Sequence, residues 1–151
     1  MTVNVEDIKK LREETGAGIA DCRVALEEAG GDMGKAKEVL KQRGLDKAGS
    51  KSDREVSAGV VETYSHGGRV GVIVEVLCET DFVAKTEDFK TLAHEIALQI
   101  ASMNPENSEE LMKQDYVRDP SQTVETLVKA AIGKLGENIK VGRFTRIALG
   151  A

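Results

Sequence analysis

The sequence predicts an α+β fold, and three observations carry that prediction. Apolar residues recur at helical spacing through the first 44 positions, interrupted by glycine stops. From residue 58 the spacing changes to alternation, in runs at 58–64 and 70–78 on either side of "SHGGR". Beyond residue 86 two further helical periods lead to a last alternating run at 139–149. Together these predict an N-terminal three-helix module followed by a small antiparallel three-stranded sheet with helices packed on one face.

Asn4 with Asp7 opens the first helix, whose apolar stripe is Val5, Ile8 and Leu11. "TGAG", Thr15 to Gly18, ends it, because glycine accepts the left-handed conformation of a helix stop. A second helix over 19–29 sets Ile19, Cys22, Ala25, Leu26 and Ala29 on one side. Gly30 to Asp32 breaks it, and Asp32 can cap a third helix carrying Met33, Ala36, Val39 and Leu40, which Gly44 closes. Residues 1–44 therefore form the module. The polar stretch 45–57 reads as a linker with room for a little helix, and 58–151 as the α+β core domain.

In that domain Val70, Val72, Val74, Val76 and Cys78 share one strand face, almost wholly β-branched as a buried face should be. After Thr86, the positions Phe89, Leu92, Ala93, Ile96, Ala97, Ile100 and Ala101 follow helical spacing, and Asn104-Pro105 stops that helix. Residues 106–121 are polar and loop-like, with a short helix near "SEELMKQ". A further helix at 123–135 carries Val124, Leu127, Val128, Ala131 and Leu135, with Gly136 past its end. In the last strand Ile139, Val141, Thr145, Ile147 and Leu149 fall on one face.

Composition narrows the function classes. Of 151 residues, 40% are hydrophobic and 31% charged, and the net charge is −5. A phosphate-binding surface needs a cationic excess, so nucleic acid is not expected as a partner. The longest apolar run, "VGVIVEVLC", is broken by Glu75 and falls far short of the roughly 20 residues that cross a bilayer. No signal-peptide pattern opens the chain, so a cytoplasmic protein with free thiols at Cys22 and Cys78 is expected. The glycines fit no phosphate-cradling motif, so no nucleotide cofactor is expected. Two cysteines and two histidines, scattered along the chain, make no metal site. Cys78 ends an inward strand row and reads as a structural thiol, and His94 as a boundary side chain; an enzyme is not expected.

"CETDFVAKTEDF", residues 78–89, stands apart. Phe82 is one of three phenylalanines in the chain and follows Asp81 at a strand-to-helix connection. Read locally, Thr80 or Asp81 caps a turn and Phe82 lies over the sheet edge. Yet Lys85 and Thr86 interrupt any stripe between Phe82 and Phe89, and Thr86 looks like the cap of the long helix. A ring without a stripe is expected to be partly exposed, and exposed aromatics on charged surfaces anchor partner proteins.

Residues 11–40, "LREETGAGIADCRVALEEAGGDMGKAKEVL", resemble the amino-terminal segment of bacterial elongation factor Ts, a three-helix module of the ubiquitin-associated type. "VGVIVEVLCETDFVAKTEDF", 70–89, resembles that family's core signature, and "IGKLGENIKVGRF", 132–144, its closing helix-to-strand segment. The resemblance implies guanine-nucleotide exchange on elongation factor Tu, with best binding to its nucleotide-free form and no covalent chemistry. It implies that Thr80, Asp81, Phe82 and Val83 disturb the Mg²⁺ site of Tu, Phe82 wedging into an apolar pocket. Arg12 and the turn Gly16, Ala17, Gly18, Ile19 and Ala20 would dock on the GTPase domain, Ile19 being either an apolar contact or a core side chain. A homodimer is implied for compact members with one core. Here residues 106–122 replace a longer stretch found in the family. The competing reading, a non-catalytic interaction adaptor, leaves the 80–83 segment unexplained.

Overall fold

The computed structural model describes residues 3–150. Helices α1 (Val5–Thr15), α2 (Ile19–Glu28) and α3 (Met33–Ser50) form the N-terminal module. Their starts follow from side-chain caps: Asn4 Oδ1 accepts from the Glu6 amide at 2.9 Å, and Asp32 Oδ1 from the Lys35 amide at 2.9 Å. Gly16 ends α1 in the left-handed region at φ 73°. Leu11, Cys22, Ala25, Leu26 and Ala36 close a small core of their own. Val5 and Ile19, expected on apolar stripes, are both exposed.

Gly44 does not close the third helix. Helix α3 continues for 18 residues to Ser50, through the first part of 45–57. The physical reason is a close helix crossing. A Cβ on Gly133 would lie 2.7 Å from both Cα and O of Gly44, so position 133 has to be glycine where α3 meets α7 (Val124–Leu135). Glycine serves contact here and not termination. Ala36 of α3 sits in the module's core while Ala48 joins the larger core.

That larger core lies under an antiparallel sheet of order β1-β2-β5, built from β1 (Ala58–His66), β2 (Val70–Cys78) and β5 (Ile139–Ala148). The turn between the first two places Gly67 and Gly68 at φ 57° and 69°. Val72, Val74, Val76 and Cys78 face inward, as their alternation predicts, against α7 and α5 (Glu87–Met103). Every predicted stripe residue of α5 is buried, and Asn104 stops the helix in the left-handed region at φ 47°. The single turn α4 (Asp81–Ala84) joins β2 to α5.

The stretch expected to be loop-like contains the short helix α6 (Ser108–Lys113), as anticipated, and also a two-stranded hairpin of β3 (Asp115–Tyr116) and β4 (Asp119–Thr123). Fully buried Gln99 on α5 organises it. Its amide nitrogen donates to the Asp115 carbonyl at 3.0 Å, and its amide oxygen accepts from the Val117 amide at 3.0 Å.

One face assignment is corrected. Ile139 and Val141 point inward, but Thr145, Ile147 and Leu149 point outward. The register passes from Val76↔Val141 to Val74↔Phe144, so Glu75 faces two residues, Gly142 and Arg143. This β-bulge inserts one residue and reverses the alternation, turning Phe144 toward the core. Glu75 holds it: its carboxylate accepts from the Arg143 amide at 2.8 Å and from the guanidinium at 2.9 and 3.0 Å.

Candidate functional site

The tip at residues 80–83 is built from opposing demands on adjacent side chains. Val83 and Ala84 are buried in the larger core and fix α4 to the body. Phe82, immediately before them in the chain, is 82% exposed. The ring therefore projects from a short turn whose neighbours are anchored beneath it. Thr80 caps the turn, its hydroxyl oxygen accepting from the Val83 amide at 3.3 Å, and the Thr86 hydroxyl donates to the Val83 carbonyl at 2.7 Å. Thr86 then caps α5 through the Phe89 amide at 3.2 Å. Between the two local alternatives, Thr80 is the cap; Asp81, in the first turn, is exposed. The exposed ring matches what the broken stripe predicts.

The base of the tip is tied to the turn after α7 by carboxylates exchanged between the two segments. Glu137 accepts from the Thr80 amide at 3.0 Å and the Thr80 hydroxyl at 2.7 Å. In return Glu79 accepts from the Asn138 amide at 2.6 Å and pairs with Arg54 at 3.6 Å. The Asn138 side chain, buried, donates to the Arg54 carbonyl at 2.8 Å. Apart from Thr80, these residues carry no signal in the sequence, since 57 residues separate Thr80 from Glu137 and no periodicity links them.

The N-terminal set forms a second surface. Arg12, Gly16, Gly18, Ile19 and Ala20 are exposed, and Ala17 is half-buried against the module core. Ile19 is 57% exposed, which removes the core alternative. Gly16 lies against Lys134, whose amine pairs with Asp88 in the first turn of α5. Both sets thus approach the C-terminal end of α7, one through Lys134 and one through Glu137, without touching one site in common.

Other chemistry is sparse. Cys22 and Cys78 are free and buried, and burial pushes both thiols up from their ordinary range. Cys78 Sγ donates to the Thr80 carbonyl at 3.2 Å, a structural contact. His94 is exposed and meets the Tyr64 ring edge-on at 5.7 Å. Among the described residues no group of three His, Cys, Asp or Glu could hold a metal ion, and no helix is long and apolar enough to cross a membrane.

Known proteins supply the rest. The Elongation factor TS family model matches residues 79–151, which include Thr80 to Val83 and Glu137. Elongation factor Ts of Coprothermobacter proteolyticus is 43% identical over 196 aligned positions, covering 99% of this chain and 100% of the relative. The chain belongs to the elongation factor Ts family. Elongation factor Ts of Herpetosiphon aurantiacus is 40% identical, each chain covered in full. That of Aquifex aeolicus is 46% identical over 97% of this chain but only 52% of its own length. Alignment over 196 positions exceeds this chain's 151 residues, so the Coprothermobacter elongation factor Ts carries segments absent here.

Proposed function

We propose that this chain is a guanine-nucleotide exchange factor for elongation factor Tu, acting in the cytoplasm during translation elongation. The observation that carries the reading is Phe82: a large apolar ring held 82% exposed on a turn whose next two residues are buried. Water disfavours that arrangement, and a partner's apolar pocket relieves it. Mg²⁺ bridges the phosphates of a bound nucleotide to its GTPase, so displacing the elements that hold the ion removes much of the grip on GDP. Phe82 supplies binding energy for that displacement, and Asp81, exposed beside it, presents charge to the same elements. Arg12 and the Gly16–Ala20 turn make a second contact on the GTPase domain, Ile19 being its exposed apolar member.

Linkage fixes the sign. A factor that weakens GDP binding to Tu is itself weakened by GDP to the same degree, so it binds nucleotide-free Tu best. No covalent bond is made or broken, which is exchange and not enzyme chemistry. The outer sheet face, where Val61, Ile73, Ile147 and Leu149 are exposed, offers apolar surface for the homodimer that compact members imply.

The test loads elongation factor Tu with fluorescent GDP, adds this protein with excess unlabelled GDP, and follows release. Strong acceleration is expected. Unchanged release would refute exchange and leave the adaptor reading.

A further inference from the structure

The closing segment around Glu137 lies outside the contact residues proposed above, yet it makes three hydrogen bonds to Glu79 and Thr80 at the base of the tip. We infer that Glu137 is a positioning residue that aims Phe82, an inference that rests on the exchange reading above. Its two carboxylate oxygens take the Thr80 amide at 3.0 Å and the Thr80 hydroxyl at 2.7 Å. A hydroxyl has one proton. Once that proton is committed to Glu137, the threonine oxygen is left with its lone pairs for the Val83 amide, the bond that caps α4 at 3.3 Å. Glu137 therefore sets the Thr80 rotamer, Thr80 sets the turn, and the turn sets the direction of the ring.

The clamp is itself supported. Glu137 follows Gly136, which ends α7 in the left-handed region at φ 79°, so its backbone starts from a fixed helix end. Asn138, 2% exposed, takes Glu79 through its amide at 2.6 Å and holds the Ser52 and Arg54 carbonyls at 3.4 and 2.8 Å. Strand end, helix end and the segment after α3 thus converge on the two residues preceding Asp81. Phe82 makes no packing contact deep enough to orient itself, being almost wholly exposed. Its aim has to come from this base.

The experiment uses the full chain with Glu137→Ala and Glu137→Gln, read in two independent ways. In the isolated protein, amide hydrogen exchange at Thr80 and Val83 reports the clamp. Loss of charged hydrogen-bond acceptors should speed exchange at Thr80 about tenfold in Glu137→Ala, with Glu137→Gln, which keeps one acceptor, in between. In GDP release from Tu measured across factor concentrations, the maximal rate should fall about tenfold in Glu137→Ala. The half-saturating concentration should change far less, because the N-terminal contacts are untouched. Partial recovery of the maximal rate in Glu137→Gln separates positioning from a general loss of stability, which would move neither quantity in that pattern.

Unchanged protection at Thr80 overturns the clamp. Faster exchange at Thr80 with a wild-type maximal rate overturns its role in aiming. Failure of the wild type to accelerate release refutes the exchange reading instead, and is told apart because it needs no variant.

Discussion

Phe82→Ala and Val83→Ala remove neighbouring apolar side chains, and the structure assigns them opposite consequences. Fully burying a phenylalanine ring is worth about 1.5–3 kcal/mol. Phe82 leaves 82% of itself in water, so nearly all of that gain remains for a partner and almost none supports this fold. At about 1.4 kcal/mol per factor of ten, Phe82→Ala should slow Tu-dependent GDP release about ten- to a hundredfold. Its melting temperature should be unchanged, as for a surface substitution costing under about 0.5 kcal/mol. Val83 is 5% exposed and part of the larger core. Val83→Ala should cost about 2 kcal/mol of stability, lowering the melting temperature by about 4–8 °C in a chain of this size. Its effect on release, measured well below melting, should be smaller than that of Phe82→Ala. Calorimetry and stopped-flow release on the same preparations decide the matter. A large melting shift in Phe82→Ala, or release at the wild-type rate, would refute the division of labour between the two residues.

The two glycines of the α3–α7 crossing should respond with opposite signs. Gly133→Ala drives a methyl against the Gly44 backbone at 2.7 Å and should destabilise by about 1–3 kcal/mol in chemical denaturation. Gly44→Ala meets only Gly133 Cα at 4.0 Å and should stabilise by about 0.5–1 kcal/mol through helix propensity. Acid stability should depend on the bulge. The Arg143 guanidinium and amide hold the Glu75 carboxyl at about 2, against an ordinary value of 4.5. A lowered folded value gives stability that is complete above pH 4.5 and lost as pH falls toward 2. Arg143→Ala, which keeps the amide bond but loses the guanidinium, should therefore partly flatten the stability–pH profile across that window and leave its shape near neutrality unchanged, as read by urea midpoints at each pH.

The readable parts of this fold were those governed by local rules. Caps at Asn4, Asp32 and Thr86 and stops at Gly16, Asn104 and Gly136 act within four residues, and the stripe of α5 needs only helical spacing. The exposed ring was legible for the same reason, since Lys85 and Thr86 break the stripe beside it. What escaped was non-local. Gly44 looks like a helix stop until Gly133 is opposite it, and the β5 face reverses because Glu75 accommodates two residues from across the sheet. The hairpin at 115–123 depends on a glutamine reaching it from α5. The clamp under the tip joins residues more than fifty positions apart, where no period of 2 or 3.6 can signal it.

Helix α3, at 18 residues about 27 Å long, belongs to both hydrophobic clusters and is locked by glycine-to-glycine contact near its middle. A tethered bead would search for its second foothold after the first was made, losing chain entropy in the process. An unbroken strut does no such searching. The span between Ile19 and Phe82 is set before any encounter, like the jaws of a calliper fixed at one gauge. Under the exchange function proposed above, a GTPase meeting both points would be the body that yields, with the strain falling on its nucleotide pocket.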